Sequence, residues 1–154
     1  MKKLLLVLVL FSLVFLTSCS HIEDTNGPDD YSLCTMTDDN IINGYYSNIS
    51  FGTVKTSSST NNGVSGKYSV SKLSGVETID NYKSKKDSIT FEIDLTCEAG
   101  NVLFAIVSND VIVKKVEANE SVTFTVDNNG SYYKLVLLGE SAKVSLKYEI
   151  KGSN

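Results

Sequence analysis

Ser88-Ile89-Thr90-Phe91-Glu92-Ile93-Asp94-Leu95-Thr96-Cys97 alternates without a break, with Ile89, Phe91, Ile93, Leu95 and Cys97 in one phase and Thr90, Glu92, Asp94 and Thr96 in the other. A period of two separates the phases onto the two faces of a strand, whereas a helix of period 3.6 would scatter the apolar residues around its circumference. The segment is therefore an antiparallel strand with one face on a core and one in water. Outward from it the same period recurs. Glu98-Ala99-Gly100-Asn101 is expected to turn the chain, and Val102 to Val107, apolar in both phases, reads as a central strand. Ser108-Asn109-Asp110 turns it again into Val111 to Val116.

A type I′ turn at Asn129-Gly130 would pair Val126 with Tyr133, Phe124 with Leu135 and Val122 with Leu137 on one face, leaving Thr125 with Lys134 and Asp127 with Tyr132 on the other. After Gly139-Glu140-Ser141, Val144, Leu146, Tyr148 and Ile150 keep the period. Upstream, Gly66 to Ile79 alternates with a bulge or bend expected at Ser74-Gly75, and Lys83 to Lys86 is a turn. Lys55 to Gly66, rich in serine and asparagine, is expected to be a mobile loop. Ile41 to Val54 reads as one or two strands interrupted at Asn43-Gly44, and no apolar helical stripe is found.

Seven or eight short strands with one-sided faces predict an all-β fold: a single antiparallel β-sandwich, Ig-like or jelly-roll-like, over residues 41–154. The closing stretch Gly130 to Gly139 is similar to the penultimate strand of many extracellular bacterial sandwich modules, a resemblance that covers about the last 65 residues and implies no particular activity.

The N-terminus carries different information. Lys2 and Lys3 precede thirteen apolar or small residues, Leu4 to Leu16, too few for the roughly 20 that cross a bilayer. The run closes on Leu16-Thr17-Ser18-Cys19, which resembles the lipobox of bacterial lipoproteins. That resemblance implies a signal peptide over residues 1–18 and a lipidated Cys19 at the new N-terminus. The mature protein would then be membrane-bound through its lipid on the extracytoplasmic face of a bacterial membrane. In a two-membrane cell, Ser20 resembles the residue of lipoproteins passed on to the outer membrane.

Removing residues 1–18 from the 154 leaves 136, enough for one core of ordinary size. The formal charge of −4 is unevenly placed: Ser20 to Asn40 holds six acids and no lysine, whereas Ile41 to Asn154 holds twelve of each. Residues 19–40 are thus expected to form an acidic flexible tether, reaching about 70 Å stretched or roughly 25 Å as a coil. Without arginine or net basic charge to neutralise phosphates, nucleic-acid binding is disfavoured and no nucleic-acid partner is expected.

With Cys19 carrying lipid, Cys34 and Cys97 remain, in a compartment that permits oxidation. A bridge between them would stabilise the fold by about 4 kcal/mol on a chain-entropy model; otherwise Cys97 is a small buried hydrophobe. Catalytic constellations are sparse. The single histidine, His21, lies in the tether with no partners, which removes triads and zinc sites. Glu92 and Asp94 share one face at about 6.5–7 Å and form a candidate carboxylate pair, but a glycosidase also needs a cleft and an acid in an apolar pocket. Asp38-Asp39-Asn40 and Asp127-Asn128-Asn129 lack the ligand spacing of a calcium loop. No cofactor is expected. With tryptophan absent, Tyr45, Tyr46, Tyr82 and Tyr132 are the candidate ligand contacts, and Lys83, Lys85, Lys86, Lys114 and Lys115 could meet anionic polymer or headgroups. The expectation is a non-enzymatic binding or structural module of the envelope with a protein or glycan partner. The competing readings are a small carboxylate- or metal-dependent hydrolase and an accessory subunit of an envelope complex.

Overall fold

A straight strand of 21 residues would extend about 70 Å, far beyond the diameter of a domain of this size, so strands of that length must bend. The computed structural model describes residues 37–43, 49–60, 62–128 and 130–154, all within one compact unit, Tyr31–Asn154. Among the described residues are one short helix, α1 (Asp38–Asn43), and seven strands: β1 (Ile49–Phe51), β2 (Val54–Thr60), β3 (Gly63–Lys83), β4 (Ser88–Ser108), β5 (Val111–Glu117), β6 (Ser121–Asp127) and β7 (Tyr132–Ser153). All seven belong to one antiparallel sheet, in which β7 lies between β3 and β4.

The three long strands bend at register breaks: Val70 to Gly75 in β3, Cys97 to Asn101 in β4, and the facing Gly139 to Ala142 in β7. Each bend folds one sheet into two layers. The first layer runs β2, β3 (63–70), β7 (144–151), β4 (88–97), β6; the second runs β1, β3 (73–83), β7 (132–139), β4 (102–108), β5. The sandwich-like fold is as expected, but its layers share strands rather than being two separate sheets. Gly75 marks the expected bend, at φ 112°. At Gly100, φ is 72° and a Cβ would stand 2.5 Å from the Glu140 and Ser141 carbonyl oxygens, so glycine alone lets the β4 and β7 bends nest. Glu98–Asn101 and Gly139–Ser141 are therefore bends inside strands, not turns between them.

Both halves of the long strands point the same phase inward. Tyr68, Ile89, Phe91, Leu95 and Leu146 from the first layer meet Ile79, Phe104, Ile106, Leu135 and Leu137 from the second in one buried cluster. Phe91 stacks on Phe124 at 5.1 Å between ring centroids and meets Tyr133 edge-on at 5.3 Å. Two tyrosines tie the layers. Tyr68 Oη donates to Glu77 Oε2 at 2.6 Å, and Tyr148 Oη donates to Asp80 Oδ2 at 2.6 Å. Burial first, and the carboxylate partner second, raises the pKa of both phenols.

The second layer is apolar on its outer face too, as expected for Val102 to Val107. Val76, Ala105, Val107, Val136 and Leu138 form a second cluster there, capped by Ile41 of α1 at 1% exposure. Here the structure departs from the sequence reading, because Asp38 to Asn43 is a helix spanning the expected boundary between tether and domain at residue 40. Thr37 caps it, its hydroxyl accepting from the Asn40 N–H at 3.3 Å, and Asp38 and Asp39 suit the first turn. A Lys134 Nζ bond to the Ile42 carbonyl (2.6 Å) and a Lys115–Asp38 ion pair (2.6 Å) hold it in place.

Two further expectations are corrected. Val54–Thr60 is not a loop but an edge strand, exposed along its whole length and paired with β3 from Val54↔Ser69 to Thr60↔Gly63. Exposed on both faces, it has no apolar alternation to reveal it. The β6–β7 hairpin is absent as well: β6 pairs with β4 (Phe91↔Phe124), and β7 pairs with β4 and β3. The connecting Asn128 is buried, its Nδ2 donating to the Ser84 and Lys86 carbonyls (3.1 and 2.7 Å) and its Oδ1 accepting from Ser131 N–H at 3.0 Å. This anchorage carries the chain from one layer to the other. By contrast, Asn109 and Asp110, at φ 49° and 59°, make the two-residue turn between β4 and β5 that was expected.

Candidate functional site

The outward phase of the first layer builds the site. Because register fixes which side chains stand side by side across a sheet, that face can be read in rows. One row is Thr56, Lys67, Lys147, Asp94, Ser121 and the next is Ser58, Ser65, Glu149, Glu92, Thr123. These rows line an open groove of about 610 Å³ crossing all five strands. Hydroxyls from the edge strands β2 and β6 stand at its ends, and charged side chains from β3, β7 and β4 stand at its centre.

The central charges are arranged against their own stability. Glu92 lies directly opposite Glu149, and Lys67 directly opposite Lys147. Like charges in cross-strand positions repel. The acidic pair is bridged by Lys151, whose Nζ lies 3.0 Å from Glu92 Oε1 and 3.0 Å from Glu149 Oε2. Those bonds, from Glu149 first and Glu92 second, raise the Lys151 pKa above its ordinary value. Lys147 reaches Asp94 Oδ2 at 3.7 Å, a loose ion pair, while Ser121 Oγ donates to Asp94 Oδ1 at 3.0 Å. Among the described residues, Lys67 has no ion-pair partner.

Glu92 and Asp94 thus share a face as their spacing predicts, and they line a groove. Their side chains are 45% and 49% exposed and both face lysines, so neither sits in the apolar pocket that raises a catalytic acid. Among the described residues no group of three or more His, Cys, Asp or Glu is placed to hold a metal ion. Tyr132 faces outward, 49% exposed, but stands opposite Lys83 on the second layer rather than opposite Asp127, away from the groove. Tyr82 packs partly buried against the core. Cys97 is partly buried at the β4 bend, its thiol directed at the Ala99 carbonyl (3.2 Å), with no disulfide to a described residue. Leu16, Thr17, Ser18, Cys19, Cys34, Tyr45 and Tyr46 lie outside the described residues.

Lys67, Lys147, Glu149 and Lys151 escaped the sequence reading. Their outward phase is legible in β3 and β7, but their convergence on Glu92 and Asp94 depends on pairings between segments more than fifty residues apart along β4 and β7. Local periodicity does not encode such partners.

No family model matches the chain. No curated protein matches it. Among solved structures it is similar to a chain from the work "Bacillus endospore appendages form a novel family of disulfide-linked pili", with 12% sequence identity, a TM-score of 0.42, and coverage of 69% of this chain and 95% of that chain.

Proposed function

We propose that this chain is a lipid-anchored bacterial lipoprotein whose sandwich-like domain is a non-enzymatic binding module on the extracytoplasmic face of a membrane. The membrane would be the cell membrane, or the outer membrane in a two-membrane cell. The observation that carries the binding role is the contrast between outer faces: that of one layer is an apolar cluster that includes Ile41 of α1, while the other presents an open groove of about 610 Å³ lined by hydroxyl-bearing and charged side chains. Grooves of this volume suit small ligands. Support for a non-enzymatic role comes from the ion-paired, half-exposed state of Glu92 and Asp94. Support for the anchor comes from Leu16-Thr17-Ser18-Cys19 behind its short apolar run.

The anchor is tested by substitution and fractionation. Cys19→Ala in the full-length chain is expected to move the protein out of the washed membrane fraction or leave it as unprocessed precursor, with loss of the acyl mass from the mature N-terminus. A Cys19→Ala protein that is processed and retained like the parent would overturn the lipoprotein reading.

A further inference from the structure

The charged centre of the groove has a chemistry specific enough to select a ligand. We infer that the groove binds a short acidic oligosaccharide lying across the strands, with its carboxylate held by Lys67 and Lys147; this rests on the binding-module reading above.

Charge complementarity sets the first condition. The face carries three lysines (Lys67, Lys147, Lys151) and three carboxylates (Glu92, Asp94, Glu149). Lys151 is committed to the two glutamates and Lys147 loosely to Asp94. Lys151 is shared by two carboxylates, so the six charges balance over the face as a whole, and the positive charge is concentrated locally where Lys67, with no ion-pair partner among the described residues, stands opposite Lys147 and repels it. A single anion placed between two ammonium groups on neighbouring strands, about 5 Å apart at the backbone, removes that repulsion and gains two charge-assisted bonds. A polyanion is a poor occupant, since its further charges would fall on Glu92, Glu149 and Asp94.

The remaining lining sets the second condition. Glu92 and Asp94 accept hydrogen bonds, and Ser65, Ser121 and Thr123 both donate and accept, which is the complement of a ring of hydroxyls. A peptide is disfavoured by the direction of the groove. An extended peptide binds a sheet by pairing its backbone with an open edge, but this groove crosses β3, β7 and β4, whose backbone groups are paired on both sides. The hydrogen-bonding groups that the groove offers at its centre are those of side chains, and it spans about 19 Å from edge to edge.

The test uses the intact mature lipoprotein in detergent, titrated by calorimetry with an aldobiouronic acid (one glucuronic acid linked to one xylose) and with the same disaccharide reduced at its carboxyl to the neutral sugar. The acidic form is expected to bind at least tenfold more tightly than the reduced form. Lys67→Gln is expected to bring it down to the reduced form's affinity, while Lys143→Gln, on β7 but paired with Glu98 near the bend, changes nothing. Both lysines are exposed, so the fold survives either change, and Lys147→Gln provides a second variant with the same expected loss. Equal affinity for the two sugars, or an acidic preference that persists in Lys67→Gln and Lys147→Gln, overturns the charge assignment. If the equal affinity is lost on filling the groove with Thr123→Arg, the binding-module reading stands without it. Binding of neither sugar overturns the oligosaccharide assignment, and membrane attachment is then judged separately by the Cys19→Ala fractionation.

Discussion

The outer faces of the two layers are built on the same three strands and have opposite fates. Along β7, Val136 and Leu138 project from the second layer into an apolar cluster under α1, while Ser145, Lys147 and Glu149 project from the first layer into water. One strand is therefore buried on both faces over its first half and on one face over its second. The pattern changes at the Gly139–Ala142 bend, so the bend separates a half with apolar side chains in both phases from a half with polar side chains in one. A covered face demands apolar side chains in both phases, and an open face leaves one phase free for polar residues with another use.

The sharpest way to break this comparison is to place the same charge on the same strand in each half. Val136→Asp buries a carboxylate at a site 1% exposed, in the apolar cluster of Ala105, Val107, Leu138 and Ile41. The expected loss is on the order of 4 kcal/mol or more. Ser145→Asp, opposite Ser69 and Thr96 on the open face, is expected to stay within about 0.5 kcal/mol of the parent. Urea unfolding of the two variants gives the comparison directly. A loss at Val136 of less than about 1 kcal/mol would show that α1 does not seal that face.

How much of this division the chain reveals before folding depends on range. Ile89, Phe91, Ile93 and Leu95 were legible as a core face because alternation is local, and Val102 to Val107 as a two-sided central strand for the same reason. The β6–β7 register failed although each of its apolar residues was assigned to the correct face. Val126 and Tyr133 share an apolar phase whether they lie side by side in one sheet or face each other across a core, and only the buried Asn128, bonded to Ser84 and Lys86, decides between the two. The helix was missed because six residues carry barely one apolar side of a turn, and Ile41 becomes informative only when the face it covers is known. Glu92 and Asp94 were legible as a pair, but Lys67, Lys147 and Glu149 arrive from strands whose neighbours the local pattern leaves open.

The two layers are also tied by the Tyr68–Glu77 and Tyr148–Asp80 bonds, which makes their attachment dependent on pH. Both phenols have pKa values raised in the folded protein, chiefly by burial, against about 10 in the unfolded chain. A raised folded value means that the unfolded state releases its protons first on the alkaline side. The associated stability is complete below about pH 10 and is lost as pH climbs through 10 toward the raised values. The Tyr68→Phe/Tyr148→Phe variant is expected to be about 2 kcal/mol less stable at neutral pH, roughly 1 kcal/mol for each bond, and to show a shallower alkaline decline. Denaturant unfolding at about pH 8 and about pH 11 measures both. Equal alkaline losses in parent and variant would mean that the tie between the layers does not involve these phenols.

The smallest expected effect is the most informative about why the open face looks as it does. Lys67 stands opposite Lys147 without an ion-pair partner among the described residues, so removing its charge should relieve repulsion rather than break a contact. Lys67→Ser is expected to raise stability by about 0.2–0.5 kcal/mol at low ionic strength, and the gain should shrink as salt screens the pair. A side chain retained for the fold would give the opposite sign, a loss insensitive to salt. If the salt-dependent gain is found and the same substitution weakens binding of the acidic sugar, stability and recognition are opposed at one residue, as expected where a site holds charges that the fold alone would not place together. That opposition would separate the two layers by physical role: substitutions on the sealed face can only unfold the domain, whereas those on the open face can exchange binding for stability.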